Sequence, residues 1–263
     1  MTDAGWLTFT PAADKNGTTT VTVVLSDGMK TKTLTFQIII SAVNDRPSFT
    51  MGANQEVLED CHAQTVAGWA TNMVKGPANE STQTLTFTVT NNKNSLFATQ
   101  PAISSSGQLT YTPADNAFGV ATVSVILRDS GGTANGGVNA TDVQTFTITV
   151  LSVNDQPAFE DNRDVTVTED SGAYSAAWAQ AGTISVGPSN ETQSHTFVLQ
   201  NTTVQSVAGN TELFSVAPAI DAQTGALTFM PAPNANGTAQ LTVVLTDPDG
   251  IKNGGQDTSI VHT

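Results

Sequence analysis

Side chains with oxygen atoms recur around two copies of one short motif, Val-Asn-Asp-X-Pro, at residues 43–47 and 153–157. Hard cations such as Ca²⁺ take about six to eight oxygen ligands, supplied by carboxylates, carbonyls and waters. The candidate ligands are Asn44, Asp45, Glu80 and Asp129 around the first motif, and Glu59, Asp60, Asn154, Asp155, Glu191 and Asp247 around the second. Asn and Asp side chains in such positions also hydrogen-bond the backbone of turns, so both interpretations stay open.

Motifs for catalysis are absent from the sequence. There is no Gly-X-Ser-X-Gly, no His-Glu-X-X-His and no phosphate-binding glycine loop. His62, His195 and His262 stand at positions that do not correspond between the repeats described below. The one cysteine, Cys61, excludes an intrachain disulfide and CxxC metal or redox motifs. We therefore expect a protein that is not an enzyme.

The two motifs are landmarks of a long internal repeat, with a period of 110 residues (153 − 43 = 110). Solenoid repeats are about 20–50 residues long, so this period indicates tandem domains that each have their own core. The repeat predicts three segments: residues 1–45 as the C-terminal half of one unit, 46–155 as a complete unit, and 156–263 as a unit without its last strand.

Period-two alternation of apolar residues with threonine dominates each unit, as in residues 85–90 and 145–150. Such runs are typical of half-buried strands. About seven strands per unit predict an all-β fold of tandem Ig-like, antiparallel β-sandwiches, joined by short linkers stiffened by proline. Only residues 69–74 and 173–181 could hold a short helical turn. The expected core of the complete unit is Trp69, Leu85, Phe87, Leu109, Val123, Val125, Phe146 and Ile148.

Charge and hydropathy limit the partners. The formal net charge of −14 argues against nucleic acid and anionic membrane surfaces, which would need a basic patch. No apolar run approaches the length of a membrane span, which is about 20 residues, so we expect no membrane insertion in this segment.

These periodic features together resemble the cadherin-like, Ig-like tandem repeats of large bacterial surface adhesins. The resemblance lies in the Val-Asn-Asp-X-Pro closure, the Glu-Asp pair at residues 59–60, the Leu-Thr-Tyr-Thr-Pro-Ala run at 109–114 and the Leu-X-Asp-X-Gly turns. It implies cadherin-like sandwiches, extracellular display at a cell surface, and repetition as a spacer or adhesive stalk, often with calcium at the junctions.

Carried over to this sequence, the resemblance gives Glu59, Asp155, Glu191 and Asp247 the roles of calcium ligands. A cadherin linker has a further Asp before its Asn-Asp pair, where this chain has Ala42-Val43 and Ser152-Val153. We therefore do not expect a site for three ions.

The leading hypothesis is a non-catalytic adhesin segment that contacts neighbouring repeats and, as partner, a cell-surface protein or glycan. The alternative is a carbohydrate- or protein-binding accessory region of a secreted multidomain enzyme. The incomplete first repeat has strands without a partner sheet, so we expect residues 1–42 to fray or to donate a strand to another chain, with the run at 34–40 as the most apolar donor.

Overall fold

The computed structural model describes residues 5–162, 164–206, 212–248 and 250–263. This part of the chain is all-β, and its helical residues are confined to four short 3-10 turns. The strands are β1 (Gly17–Ser26), β2 (Thr31–Ile40), β3 (Ser48–Thr50), β4 (Gln55–Leu58), β5 (Gln64–Val66), β6 (Thr71–Val74), β7 (Leu85–Asn91), β8 (Phe97–Ile103), β9 (Leu109–Pro113), β10 (Gly119–Asp129), β11 (Gln144–Leu151), β12 (Tyr174–Ala177), β13 (Thr196–Ser206), β14 (Phe214–Ile220), β15 (Ala226–Pro231) and β16 (Gly237–Thr246).

The described residues divide into two compact units. The first unit contains residues 5–57, Cys61–Ala114 and Gly119–Val150, and the second contains Leu58–Asp60, Asp115–Phe118 and Leu151–Thr263. The boundaries at about residues 45 and 155 come from the sequence repeat alone and remain a prediction.

The first unit holds a four-stranded sheet of order β4-β11-β10-β7, a three-stranded sheet β5-β9-β8 and a small pair β3-β6. Strand β10 pairs antiparallel with β11, from Gly119 opposite Val150 to Val125 opposite Gln144. The apolar positions of these strands alternate into the interior, which is why a period-two sequence forms them.

The core of the first unit agrees with the sequence prediction at six of eight positions. Trp69, Leu109, Val123, Val125, Phe146 and Ile148 are buried. The indole of Trp69 lies 4.3 Å from the ring of Phe146. Leu85 and Phe87 are half-buried because β7 stands at the edge of its sheet. Phe87 still contacts Phe49 edge to face at 5.2 Å.

The prediction that residues 69–74 and 173–181 hold helical turns is wrong. These segments contain strands β6 and β12, which pair with β3 and β15 respectively. Intrinsic helix propensity, even that of alanine, is a weak determinant of structure, and pairing with a neighbouring strand overrides it. At Asn72 the left-handed backbone (φ +49°) also interrupts any helical turn.

Strands β1 and β2 form a ten-residue antiparallel hairpin from Gly17 opposite Ile40 to Ser26 opposite Thr31. Both of its faces are largely exposed, although one face carries regularly spaced apolar side chains. Leu34 is 61% exposed and Phe36 is 42% exposed. The hairpin therefore has the alternating sequence of core strands, but its apolar side chains are not packed in a core.

The second unit contains the sheet β12-β15-β14 and the pair β13-β16. Its apolar core includes Phe159, Trp178, Phe197, Leu227 and Leu245. The ring of Phe159 lies 5.0 Å from that of Phe197 in an edge-to-face contact.

After β16 the chain returns beside it through bridges between Thr246 and Thr258 and between Val243 and His262. The imidazole of His262 stacks on Phe159 at 4.0 Å, and its Nδ1 lies 2.7 Å from Asp161 Oδ2.

Candidate functional site: two asparagine networks and an acidic cluster

Asn44, in the first Val-Asn-Asp-X-Pro motif, lies at the centre of a hydrogen-bond network in the first unit. Its Nδ2 donates to Asp129 Oδ1 at 3.0 Å and to the Val138 carbonyl at 2.8 Å. Its Oδ1 accepts from Gln83 Nε2 at 2.7 Å. We call Asn44, Gln83, Asp129 and Val138 the first Asn network. It ties the segment before β3 to the start and the end of the loop that follows β10.

The second unit repeats this arrangement around Asn154. Its Nδ2 donates to Asp247 Oδ1 at 3.0 Å and to the Gln256 carbonyl at 2.7 Å. Its Oδ1 accepts from Gln193 Nε2 at 3.0 Å. We call Asn154, Gln193, Asp247 and Gln256 the second Asn network. The same side-chain atoms make the same bonds in both units, so the network is a property of the motif.

A glutamate extends each network to the aspartate that follows the asparagine. The backbone N–H of Asp45 donates to Glu80 Oε1 at 3.0 Å, and that of Asp155 donates to Glu191 Oε1 at 2.8 Å. The proline of each motif, Pro47 or Pro157, follows two residues later and is buried. Each motif is therefore held in its own unit through both its asparagine side chain and its backbone.

Two glycines make room for these glutamates. Gly76 and Gly187 have φ values of +145° and +144°. A Cβ built on Gly76 would lie 1.8 Å from Glu80 Oε2, and one built on Gly187 would lie 1.7 Å from Glu191 Oε2. The repeated Gly-Pro-X-Asn-Glu sequence thus requires its glycine because the carboxylate occupies the space of a side chain.

The sequence prediction missed several residues of these networks, among them Gln83 and Gln193. The side chains of Asn135 and Asn253 donate to the carbonyls of Ala42 and Ser152 at 2.9 and 2.8 Å. The sequence could have identified Asn135 and Asn253, because both stand in a repeated Asn-Gly-Gly in the loops after β10 and β16.

Four carboxyl groups gather near the second network, and we call Glu59, Asp60, Asp155 and Glu191 the acidic cluster. Glu59 is only 3% exposed. Its Oε1 accepts from the Val153 N–H at 2.8 Å, and its Oε2 accepts from Asn190 Nδ2 at 3.3 Å.

Burial and mutual repulsion disfavour the charged forms of Glu59, Asp155 and Glu191. Burial raises the pKa of the Glu59 carboxyl, the bond from Val153 opposes this, and the charges of Asp60, Asp155 and Glu191 raise it further. Burial followed by the charge of Asp60 raises the pKa of Asp155. Burial also raises the pKa of Glu191, as do the charges of Asp155 and Asp247, against hydrogen bonds that lower it.

Several buried oxygens have no hydrogen-bond partner within the described residues. In the first unit these include Glu80 Oε2 and Asp129 Oδ2, and in the second Asp155 Oδ2 and Asn190 Oδ1. An unpaired buried oxygen costs about 1–3 kcal/mol, so a cation or water that bonded it would be favoured.

The structure brings all ten candidate ligands to one of these two places, four to the first and six to the second. Within the described ranges, no group of three or more His, Cys, Asp or Glu side chains is arranged to hold a metal ion. A cleft of about 560 Å³ lies beside the acidic cluster, with Glu59, Asn154, Asn190, Glu191 and Lys252 in its wall. Of the acidic cluster, Glu59 and Glu191 line this cleft.

No helix in the described part of the chain is both long and apolar enough to cross a membrane.

No protein-family model matches the chain, and no curated protein matches it. Among solved structures, the chain is similar to mouse protocadherin-24 EC1-3, at 14% identity and a TM-score of 0.41, covering 92% of this chain and 77% of that one. Human protocadherin-24 EC1-2 matches at 13% identity and a TM-score of 0.38, covering 84% and 94%. BT4661, a SusE-like surface-located polysaccharide-binding protein from the Bacteroides thetaiotaomicron heparin utilisation locus, matches at 16% identity and a TM-score of 0.28, covering 94% of this chain and half of that one.

Proposed function

We propose that this chain is a non-catalytic segment of tandem cadherin-like β-sandwich repeats that serves as a spacer or adhesive stalk at a cell surface. The observation that carries the proposal is the duplicated Asn network. A linker that is hydrogen-bonded to its own repeat in the same way each time has a fixed direction, which is what a stalk requires. The partners of such a segment are neighbouring repeats and a cell-surface protein or glycan.

The same segment binds calcium in this proposal. The residue types fit, since carboxylate and amide oxygens are ligands of hard cations. In the second unit, Glu59, Asp60, Asp155 and Glu191 would hold the ion, with Asn154 and Asp247 beside them. In the first unit, Asp45, Glu80 and Asp129 would do so, with Asn44. The unpaired buried oxygens of Glu80, Asp129 and Asp155 support this fit.

A bound calcium ion would neutralise carboxyl groups that otherwise repel one another. Burial raises the pKa of Glu59, Asp155 and Glu191, so their charged forms are disfavoured without an ion. The protein's own contribution is the positioning: the Val153 N–H orients Glu59 and the Asp155 N–H orients Glu191. The linker therefore stiffens when the negative charge is compensated.

A calcium titration of the whole chain, after treatment with a chelator, tests this proposal. A ligand at 100 times its Kd stabilises the folded state by about 2.7 kcal/mol, which should raise Tm by several degrees. Glu59→Gln should weaken the response, and Glu56→Gln, three residues away on β4 and exposed, serves as the matched control. An unchanged Tm and an unchanged X-ray scattering profile at millimolar calcium would contradict the proposal.

A further inference from the structure

The cleft beside the acidic cluster combines residues common to the repeats with residues found in one repeat only. Its whole wall belongs to the second unit. Three wall residues, Asn154, Glu191 and Gln193, have counterparts in the first unit, which are Asn44, Glu80 and Gln83. Two others, Phe118 and Lys252, replace a different residue of the repeat. These two residues make the cleft different from its counterpart.

Phe118 is an exposed aromatic residue at a position where the other repeats have asparagine. Counted from the Leu-Thr-Tyr-Thr-Pro-Ala run and its copies, it corresponds to Asn236 (118 + 118 = 236) and to Asn16 (118 − 102 = 16). Phe118 is 43% exposed. Because asparagine occupies the equivalent positions, the core of the repeat does not require an aromatic ring there.

The structure holds Phe118 in the same wall as a buried carboxyl group. The Asn116 N–H donates to Asp60 Oδ1 at 2.8 Å, which ties the loop of residues 115–118 to the Glu59-Asp60 pair. Phe118 and Glu59 both line the cleft. An aromatic ring and a carboxyl group are therefore presented together to a ligand in the cleft.

Lys252 adds a positive charge to this wall. It precedes Asn253 in a Lys-Asn-Gly-Gly sequence, and the equivalent residue of the first unit is Ala134. The loop is fixed to the second motif, because the Asn253 side chain donates to the Ser152 carbonyl at 2.8 Å. The Lys252 side chain is exposed and lines the cleft. The wall therefore has an ammonium donor as well as carboxylate acceptors.

The amide and carboxyl oxygens of the wall can accept further hydrogen bonds. Asn190 Oδ1 is buried and has no partner within the described residues. Glu59 Oε2 and Glu191 Oε2 accept bonds of 3.3 and 3.4 Å from neighbouring amides. Charged acceptors usually form bonds of about 2.7–2.9 Å, so both existing bonds are long. A ligand with several hydroxyl donors would satisfy these oxygens.

The mixed charge of the wall decides which class of ligand it favours. An organic anion would meet the carboxyl groups of Glu59 and Glu191, and an organic cation would meet the ammonium group of Lys252. A neutral saccharide avoids both, because its hydroxyl groups donate to the oxygens and accept from Lys252. The C–H groups on one face of a sugar ring would pack against the electron-rich face of Phe118.

We propose that this cleft binds a neutral saccharide, with a sugar ring on Phe118 and hydroxyl groups bonded to Asn190, Glu191 and Lys252. The inference rests on the proposed function for the display of the chain at a cell surface, and it gives the glycan partner a site. It involves no calcium ion. A chain without saccharide binding would therefore overturn this inference and leave the calcium titration of the stalk unaffected.

Saturation-transfer NMR of the whole chain, treated with a chelator, tests the proposal. The probes are four neutral trisaccharides: maltotriose, cellotriose, mannotriose and chitotriose. Irradiation of the aromatic protons of the protein should transfer magnetisation to the ring C–H protons of at least one probe. Spermidine, an organic cation, and trigalacturonate, an organic anion, should bind more weakly than that trisaccharide.

Two variants that introduce the residue of another repeat identify the site. Phe118→Asn should weaken trisaccharide binding about tenfold or more, and Lys252→Ala should weaken it about threefold to tenfold. Both side chains are exposed, so both variants should fold. Phe118→Tyr keeps an aromatic ring and should bind like the wild-type chain. Phe9→Asn and Lys30→Ala make the same changes at exposed residues outside the cleft and should have no effect.

Three results would overturn the proposal. The first is that none of the four trisaccharides binds, and the second is that spermidine or trigalacturonate binds more tightly than every trisaccharide. The third is that Phe118→Asn binds as tightly as Phe9→Asn, which would place any saccharide outside this cleft.

Discussion

The first and second Asn networks make the same hydrogen bonds in different electrostatic surroundings. Asn44 and Asp129 are both buried, whereas Asn154 is only half-buried beside a buried Asp247. The second network also lies next to the buried Glu59, which Asp60, Asp155 and Glu191 repel, and Asp60 also repels Asp155. The hydrogen bonds of the central asparagine are therefore common to both copies of the repeat. The amount of uncompensated negative charge near the asparagine differs between the copies.

Enlarging the two glycines should have the largest effect. Gly76→Ala and Gly187→Ala each place a Cβ where a glutamate oxygen lies, at φ values that strain any L residue. Backbone strain costs about 1–3 kcal/mol and a lost hydrogen bond to a charged group about 1.5–3 kcal/mol, so we expect about 3 kcal/mol or more. Displacing Glu191 also relieves repulsion in the acidic cluster, so Gly187→Ala should cost less than Gly76→Ala.

Gly182→Ala provides the matched control for strain alone. Gly182 has φ +89°, and a Cβ built there meets nothing within 4 Å. Hydrogen exchange of β10 and β16 amides would report the loss of stability in each unit separately. If Gly187→Ala cost no more than Gly182→Ala, the close approach of Glu191 would not matter to stability.

Removing the central asparagines should have an intermediate effect that separates the two networks. Asn44→Ala removes the amide donor from the buried Asp129 carboxylate and leaves it the Gly131 N–H, which should cost about 2–3 kcal/mol in the first unit. Asn154→Ala should cost about 1–2 kcal/mol, because water reaches the half-buried site.

Exchange of amides within each unit measures these costs. The variants Gln83→Ala and Gln193→Ala, which each remove the bond to the central asparagine, serve as controls. Gln193→Ala also removes the longer bonds to Val186 and Glu191. Equal costs for Asn44→Ala and Asn154→Ala would show that burial does not distinguish the networks.

The sequence was sufficient to predict most of the strands, because they follow local patterns. Alternation placed Val123, Val125, Phe146 and Ile148 in the core. The repeated Asn-Asp and Gly-Pro-X-Asn-Glu runs named the residues that meet in the structure. Calcium binding by these residues remains a prediction.

Sequence analysis missed what depends on the register between distant segments. Gln83 and Gln193 each hydrogen-bond an asparagine that lies 39 residues earlier in the sequence. No local sequence pattern predicts a contact at that separation. The expected helical turn at residues 173–181 was wrong because the partner of β12 is β15, about fifty residues later. An alternating sequence also predicted strands β1 and β2 correctly, yet it could not show that their apolar face lies open.

The smallest expected effect concerns pH and charge in the acidic cluster. Raised carboxyl pKa values mean that the folded chain holds protons more readily than the unfolded chain. Stability should therefore fall as pH rises through the window that begins near the ordinary Glu value of 4.5 and ends above the raised values. Glu59→Gln removes one charge but keeps an acceptor for the Val153 N–H. Without calcium at neutral pH, it should stabilise the second unit by about 0.5–1 kcal/mol and flatten this pH dependence.

Thermal unfolding of the chelator-treated chain between pH 4 and 8 checks this prediction, with Glu56→Gln as the exposed control. Calcium should reverse the sign of the effect, because Glu59→Gln then removes a ligand. Wild-type stability that climbs with pH through this window would show that hydrogen bonds to these carboxylates outweigh their burial and repulsion. The carboxylates beside the second Asn network would then carry no net destabilising charge. The two networks would not differ in their electrostatic surroundings.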